Sequence, residues 1–203
     1  MKIRQIRTGM DNFSYLVQCK ATGKAALVDP GTNASEAMSL IGHENLQLMF
    51  IINTHRHLDH VAENSRVRET YRCDIIASEP ESQDIPDVTR TVFDGEILML
   101  GDVRIRFLLT PGHTPGGLCM LVDGEAILTG DTLFIGDCGR TDMAGGSDNE
   151  MFLSLQKIKS LPDAVIVYPG HDYGPVPFDT LGNQKKQNKT LLAKSANELS
   201  QIV

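Results

Sequence analysis

Residues 54–60 read THRHLDH and place three histidines and one aspartate within seven positions. Imidazole and carboxylate groups without a thiolate are ligands that suit zinc, non-haem iron and manganese. In an extended segment His55, His57 and Asp59 can share one face, and His60 turns inward where a following helix starts. This loop therefore predicts one or two metal ions that activate water or oxygen.

Three further segments carry the same kind of residue. His113, Asp131 and His171 each follow an apolar run, and each has a glycine one position before it. A glycine beside a ligand lets the backbone pass close to a buried ion, and loops at strand ends are where a rigid scaffold presents such ligands. A single H-x-H motif has a high false-positive rate, but four such segments together predict a metal centre.

The elements that must position these residues are strands that precede each loop. Short apolar runs bounded by Gly, Thr, Asn or Pro are typical of strands. In the first half we predict strands over Ile3–Ile6, Phe13–Cys19, Ala25–Asp29, Leu48–Asn53 and Asp74–Ala77. In the second half we predict strands over Ile97–Leu100, Val103–Leu109, Leu118–Val122, Ala126–Thr129 and Ala164–Tyr168.

Helices are predicted from about Ser35 to Ile41, from Val61 to Arg72, from about Asn149 to Ser160, and over Asn183–Val203. Each half of the chain runs from strands to a helix. This order suits a sandwich of two sheets with outer helices. No linker or low-complexity tract interrupts the 203 residues, so a single domain over residues 1–203 is expected.

Composition narrows the classes of partner. The net charge of −7 and the absence of a basic run argue against a nucleic-acid partner, because phosphate neutralisation needs clustered Lys and Arg. No apolar run reaches membrane-spanning length and the amino terminus lacks a secretory signal, which predicts a cytoplasmic protein without a membrane partner. Four scattered cysteines without a C-x-x-C pair predict reduced thiols. A small-molecule substrate is the preferred partner, and an oligomer is compatible with the sequence.

These residues resemble the metallo-β-lactamase superfamily. Its T-H-x-H-x-D-H signature is matched at every fixed position of residues 54–60, and the match continues through His113, Asp131 and His171 in the same order. The resemblance implies an α/β fold of αββα type, a four-layer sandwich in which two mixed β-sheets are flanked by helices. It also implies a metal site at one edge of that sandwich.

The resemblance further implies a role for each ligand position. The first metal site would use His55, His57 and His113, the second would use Asp59, His60 and His171, and Asp131 would bridge both. Two divalent ions are then expected, with zinc favoured and iron or manganese left open. Asp59 and Asp131 are the candidate catalytic residues, and a metal-bound hydroxide would attack the substrate.

Within the superfamily the chain is most similar to glyoxalase II and related thioester hydrolases, through residues 130–134 (GDTLF) and 136–140 (GDCGR). This similarity implies a hydroxyacylglutathione-type thioester as substrate, with Arg140 and Tyr173 as substrate-binding residues. The chain departs from that pattern in having Asp142 where an aromatic residue is usual, and in a shorter helical carboxyl-terminal region.

Residues 138–142 (CGRTD) also resemble the persulfide dioxygenases of the same superfamily. That alternative implies one iron held by His55, His113 and Asp131, and the oxidation of glutathione persulfide. The hydrolase is preferred because the full second set of ligands is present. A metal-stabilised binding module without turnover ranks third, because an open site beside Arg140 and Tyr173 exceeds what structural metal binding requires.

Overall fold

The computed structural model describes all residues, 1–203, and contains two six-stranded sheets. The strands of the first sheet follow chain order across it. They are β1 Lys2–Thr8, β2 Asn12–Gln18, β3 Lys24–Val28, β4 Gln47–Ile52, β5 Asp74–Ser78 and β6 Arg90–Val92. The β1, β2 and β3 strands pair antiparallel, whereas β3 to β6 run parallel, so the sheet is mixed.

The second sheet is also mixed. Its strands are β7 Ile97–Leu100, β8 Val103–Leu109, β9 Leu118–Val122, β10 Ala126–Gly130, β11 Ile166–Pro169 and β12 Asp179–Thr180. These strands also follow chain order across the sheet, from β7 at one edge to β12 at the other. Only β10 and β11 run parallel, and the other neighbouring strands pair antiparallel. The predicted strands are all present, and β6 and β12 are additional short strands that the sequence pattern did not indicate.

Eight helices complete the fold. Those of the first half are α1 Ser35–His43, α2 Leu58–Val61, α3 Asn64–Tyr71 and α4 Glu79–Ser82. Those of the second half are α5 Asp148–Lys159, α6 Leu181–Gln187, α7 Lys189–Leu192 and α8 Ala196–Leu199. None of them is long and apolar enough to cross a membrane.

The layers follow from the alternation of side chains along the strands. In β8, Val103, Ile105 and Phe107 belong to a buried core between the sheets, while Leu108 points to the opposite face and packs in a second core with the helices of the second half. A third core packs α1 and α3 on the outer face of the first sheet. The predicted αββα sandwich is thus confirmed.

Two helix predictions were wrong in detail. The helix predicted from Val61 starts earlier, at Leu58, and is interrupted before Asn64, so Asp59 lies in a helical turn rather than on an extended face. The helix predicted over residues 183–203 is three short helices. Asn188 has an extended ψ of 116° and its side chain caps the next helix at Thr190, and Ser195 caps α8 in the same way.

The strand ends that carry the predicted ligands meet at one edge of the sandwich. The amide of Leu118 donates to the carbonyl of Thr54 over 2.9 Å, which joins the loop after β4 to the second sheet. The amide of Phe13 donates to the carbonyl of Gly170 over 2.8 Å, which joins β2 to the loop after β11. Residues far apart in sequence are therefore held against one another at this edge.

Candidate metal centre

Three histidines form what we call the first cluster: His55, His57 and His113. The Nε2 atom of His55 and the Nε2 atom of His113 each lie 3.0 Å from Nδ1 of His57. Nitrogen ligands at corners of a tetrahedral zinc site are separated by about 3.3 Å, given bonds of roughly 2.0–2.1 Å. The spacing of the first cluster is close to that of a three-histidine metal site.

A neighbouring group, the second cluster, consists of Asp59, His60 and His171. The Nε2 atoms of His60 and His171 are 3.3 Å apart, and Oδ2 of Asp59 is 3.6 Å from each of them. These ligand-type atoms lie close enough to one another to hold one ion, as do those of the first cluster. All the histidines and aspartates predicted as ligands, apart from Asp131, therefore fall into two groups of three.

Asp131 lies between the two clusters. Its Oδ2 atom is 3.2 Å from Nε2 of His171 and 3.6 Å from Nε2 of His113, and its Oδ1 atom is 3.5 Å from Nε2 of His60. Burial alone would raise the pKa of this carboxyl group, but His60, His171 and His55 together hold the pKa well below its usual value. Asp131 is therefore a fixed negative charge shared by both groups.

The outer nitrogens of the histidines are held by acceptors from the rest of the fold. Nδ1 of His60 lies 2.9 Å from Oδ2 of Asp29, and Nδ1 of His113 lies 2.8 Å from the carbonyl oxygen of Arg140. Such an acceptor keeps the ring proton on Nδ1 and leaves the lone pair of Nε2 facing the cluster. Asp29 thereby orients the ring of His60.

His55 is oriented in a similar way. Its Nδ1 atom is 3.0 Å from Oγ1 of Thr54, and that hydroxyl donates to Oδ2 of Asp29 over 2.6 Å. Burial and the neighbouring histidines lower the pKa of His55 well below its usual value, so this ring stays neutral and keeps a lone pair for coordination. Asp29 therefore supports one histidine of each cluster.

The arrangement fits divalent metal ions. Imidazole nitrogens of neighbouring rings face one another at 3.0–3.3 Å, an arrangement that a shared cation or proton stabilises. Oδ1 of Asp131 is buried and has no hydrogen-bond partner in the protein. A buried carboxylate oxygen without a partner is costly unless it binds a cation. The donor set, nitrogen and oxygen without sulfur, fits zinc, iron or manganese.

Two supporting residues were missed by the sequence analysis. Nδ2 of Asn12 donates to Oδ2 of Asp59 over 2.8 Å, and Oδ1 of Asp11 lies 3.4 Å from Nδ1 of His171. Asp11 ends the turn that joins β1 to β2, and Asn12 is the first residue of β2, about 160 positions before His171. Their only sequence signal is their location at a strand start, which many polar residues share.

An open cavity of about 320 Å³ adjoins His113 and Asp131. Phe134, Arg140 and Tyr173 line it. The ring of Tyr173 stacks on His171, with centroids 4.8 Å apart and planes 10° apart. Both residues predicted to bind substrate therefore stand on the wall of a cavity that opens onto the candidate metal centre.

The guanidinium group of Arg140 is already partnered. It donates to both carboxylate oxygens of Asp142, over 2.6 and 2.8 Å, and both side chains are exposed. Two lysines of the carboxyl-terminal helices are also paired: Lys185 with Asp163, and Lys189 with Asp137, a residue of the cavity wall.

Cys138 also lines the cavity, but its thiol is unreactive. It is buried, and burial raises its pKa to about 12, so the thiolate is scarce at neutral pH. All four cysteines are free and buried. None of them belongs to the candidate metal centre.

Comparison with known proteins gives matches along most of the chain. Residues 7–171 match the family described as the metallo-beta-lactamase superfamily. The hydroxyacylglutathione hydrolase of Rhodospirillum rubrum is 35% identical over 174 residues, which cover 85% of this chain and 67% of that protein. The chain therefore spans about two thirds of the length of this curated relative.

Two solved structures share the architecture. The crystal structure of ETHE1 from Myxococcus xanthus has a TM-score of 0.91 and 29% identity, and the match covers 100% of this chain and 89% of that one. The crystal structure of TTHA1623 in a di-iron-bound form has a TM-score of 0.78 and 26% identity, covering 93% and 98% of the two chains. From its family match, its fold and its cluster of histidines and aspartates, the chain belongs to the metallo-β-lactamase superfamily as a metal-dependent enzyme of the glyoxalase II-like branch.

Proposed function

We propose that this chain is a binuclear metal hydrolase that cleaves a thioester such as a hydroxyacylglutathione. The observation that carries the proposal is the pair of three-residue clusters joined by the buried carboxylate of Asp131. This arrangement opens on a cavity lined by Arg140 and Tyr173. The named activity of the Rhodospirillum rubrum relative supports the choice of substrate class.

In this proposal the first cluster holds one divalent ion, the second cluster holds another, and Asp131 contacts both. Zinc is the proposed metal, because histidine and aspartate ligands near tetrahedral spacing suit it. Bound ions at such a site lower the pKa of a water to near neutral and polarise the carbonyl group of the substrate. The protein contributes the fixed positions of the ligand atoms and the buried negative charge of Asp131.

Asp59 is the proposed proton carrier. Its side chain is 44% exposed, whereas that of Asp131 is 9% exposed, so of the two carboxylates it has the better access to solvent. The hydrogen bond from Asn12 to Oδ2 leaves Oδ1 of Asp59 as the atom that takes and returns a proton. The thiolate that leaves from the substrate would be protonated by this route.

Arg140 and Tyr173 are proposed to bind the thiol carrier. A carboxylate of the carrier would replace Asp142 on the guanidinium group of Arg140, in the same bidentate geometry. The Tyr173 hydroxyl, also on the cavity wall, would donate a second hydrogen bond to the carrier. An acidic thiol such as glutathione meets both requirements.

The test combines metal analysis with hydrolysis of S-lactoylglutathione. We expect two equivalents of metal per chain and turnover that falls by about 10³-fold in a His55→Ala variant, because the loss of a ligand removes the charge that stabilises the transition state. His43→Ala is the matched control, since His43 is exposed at the end of α1. Absence of hydrolysis, or full activity of the His55→Ala variant, would contradict the proposal.

A second candidate function is the oxidation of glutathione persulfide with one iron. The match to ETHE1 over the whole chain and the CGRTD segment at residues 138–142 favour it. Here His55, His113 and Asp131 would hold the iron. A His171→Ala variant separates the two functions, because it removes a ligand that hydrolysis needs and persulfide-dependent oxygen uptake does not.

A further inference from the structure

Glu81 is a carboxylate with no exposed surface, and it lies outside the proposed set of metal ligands. Its Oε2 atom accepts a hydrogen bond from the backbone amide of Arg56 over 2.8 Å. Its Oε1 atom accepts one from the backbone amide of Gly116, also over 2.8 Å. The Arg56 guanidinium group lies 3.8 Å from Oε1 and supplies a compensating charge. A buried carboxylate held in this way needs an explanation.

The two amides belong to the two loops that supply the first cluster. Arg56 stands between His55 and His57, and Gly116 is three residues after His113. One carboxylate therefore holds, with its two oxygens, both backbone segments from which the three histidines project. Hydrogen bonds from an amide to a charged acceptor are among the stronger kinds in proteins.

Gly116 is fixed from a second direction. The hydroxyl of Ser78 donates to its carbonyl oxygen over 2.6 Å, and Ser78 is the residue before helix α4, which carries Glu81. A Cβ atom on Gly116 would lie 2.5 Å from Oγ of Ser78 and 2.7 Å from Cγ of Glu81. The close packing leaves the His113 loop little freedom to slide past the end of β5.

No equivalent contact reaches the second cluster. Its side chains are supported by Asn12, Asp29 and Asp11, none of which touches Glu81. Arg56 also precedes Asp59 and His60 in the chain, but these two residues lie in helix α2 and have their own contacts with Asn12 and Asp29, so the loss of Glu81 should weaken the first metal position much more than the second. This asymmetry distinguishes a positioning role from a general contribution to stability.

We propose that Glu81 is a positioning residue for the first metal site, setting the separation between the His55–His57 loop and the His113 loop. A metal site tolerates ligand displacements of only about 0.5 Å, and supporting contacts behind ligands change metal affinity by about 10- to 100-fold. In the Glu81→Gln variant an NH2 group replaces one of the two carboxylate oxygens and faces a backbone amide that it cannot accept from. The His55–His57 loop and the His113 loop are then expected to separate. The inference rests on the proposed ligand assignment and is independent of the substrate.

The test is a zinc titration of metal-free protein in competition with a chromophoric chelator. To read each position alone, Glu81→Gln is combined with His171→Ala, which disables the second cluster, or with His113→Ala, which disables the first. We expect zinc affinity to fall at least about tenfold in the first combination and to change less than about twofold in the second. Glu79→Gln is the matched control, because Glu79 is exposed on the same helix.

A second readout is the visible spectrum of the cobalt(II) form in the His171→Ala background, which reports the geometry at the first cluster alone. The Ser78→Ala variant keeps Glu81 and removes only the hydrogen bond to Gly116, so a smaller loss of affinity at the same position is expected. If the Glu81→Gln variant does not fold, the zinc affinity of the Ser78→Ala variant tests the positioning of the His113 loop instead. Equal weakening of both positions, or a lower unfolding temperature with unchanged zinc affinity and cobalt spectrum, would overturn the proposal.

The wild-type titration separates this inference from the proposed function. If the wild type binds zinc at both positions but does not hydrolyse thioesters, the positioning role of Glu81 still stands. If the wild type binds no zinc, the ligand assignment fails and the inference fails with it.

Discussion

The two clusters differ in what holds their side chains in place. The loops of the first cluster are held through backbone amides by the buried carboxylate of Glu81. The second cluster is held through side chains, and only part of that support is buried: Asp29, which holds His60, is buried, whereas Asp59 is 44% exposed and Asp11, which faces His171, is 42% exposed. A site held by buried backbone contacts keeps its geometry without metal, whereas one held partly by exposed side chains must be ordered when the ion binds.

This difference bears on the choice between the two candidate reactions. Thioester hydrolysis by two ions requires the second cluster to be filled, whereas persulfide oxidation by one iron uses residues of the first cluster and Asp131. A weaker second position would make hydrolysis sensitive to metal supply. The proposed difference in metal affinity between the two clusters can therefore be tested with variants that damage both clusters, one cluster, or neither cluster.

The largest effect is expected from Asp131→Asn, because this carboxylate lies against both clusters. Loss of its charge should lower zinc content at both positions and reduce hydrolysis by about 10³-fold or more. Metal analysis measures the zinc content, and steady-state kinetics measure the loss of hydrolysis. Asp87→Asn, on an exposed turn, is the control. A variant that keeps two ions would show that Asp131 is not shared.

A smaller effect is expected when one cluster alone is damaged. His171→Ala should lose one equivalent of zinc and about 10²-fold in hydrolysis while it keeps the ion of the first cluster. His113→Ala should lose the tighter ion instead. Metal content after dialysis distinguishes the two variants. If both variants lost both ions, the clusters would form a single cooperative site and the comparison drawn above would be wrong.

The candidate ligands could be predicted from the sequence because each of their segments follows an apolar strand, and because His113, Asp131 and His171 also follow a glycine. The structure brings these residues together as expected. The sandwich was predicted from the order of strands and helices and from the family resemblance.

The supporting residues were not predictable, for a physical reason. Asn12 reaches the second cluster because β2 pairs with the segment at His171, a contact across 159 positions that no local pattern reports. Glu81 lies in the segment Glu79-Pro80-Glu81-Ser82, whose composition is typical of an exposed turn. Its burial follows from the packing of α4 against the His113 loop.

The contact between Asn12 and Asp59 gives a further test of the second cluster. Asn12→Ala removes the donor that orients Oδ2 of Asp59, so zinc affinity at the second position should fall about tenfold, with the first position unchanged. Asn197→Ala, exposed on α8, is the control. Chelator competition measures the change, and an equal loss at both positions would contradict the assignment of Asn12.

The smallest effect on catalysis is expected from a cavity-wall contact that involves no candidate metal ligand, the ion pair between Arg140 and Asp142. Asp142→Asn frees the guanidinium group of Arg140, and KM for an acidic thioester should fall by about two- to fivefold with kcat unchanged, because exposed ion pairs contribute little. A thioester without a carboxylate is the control substrate. An equal change of KM for both substrates would remove Arg140 and Asp142 from the account of specificity.

The most direct test of the account is a zinc titration of metal-free protein in which thioester hydrolysis is measured at each step. We expect zinc to bind in two equivalents of different affinity, the tighter at the first cluster and the weaker at the second. Hydrolysis should appear as the second equivalent binds. Full hydrolytic activity after a single equivalent, or two equivalents of equal affinity, would contradict it.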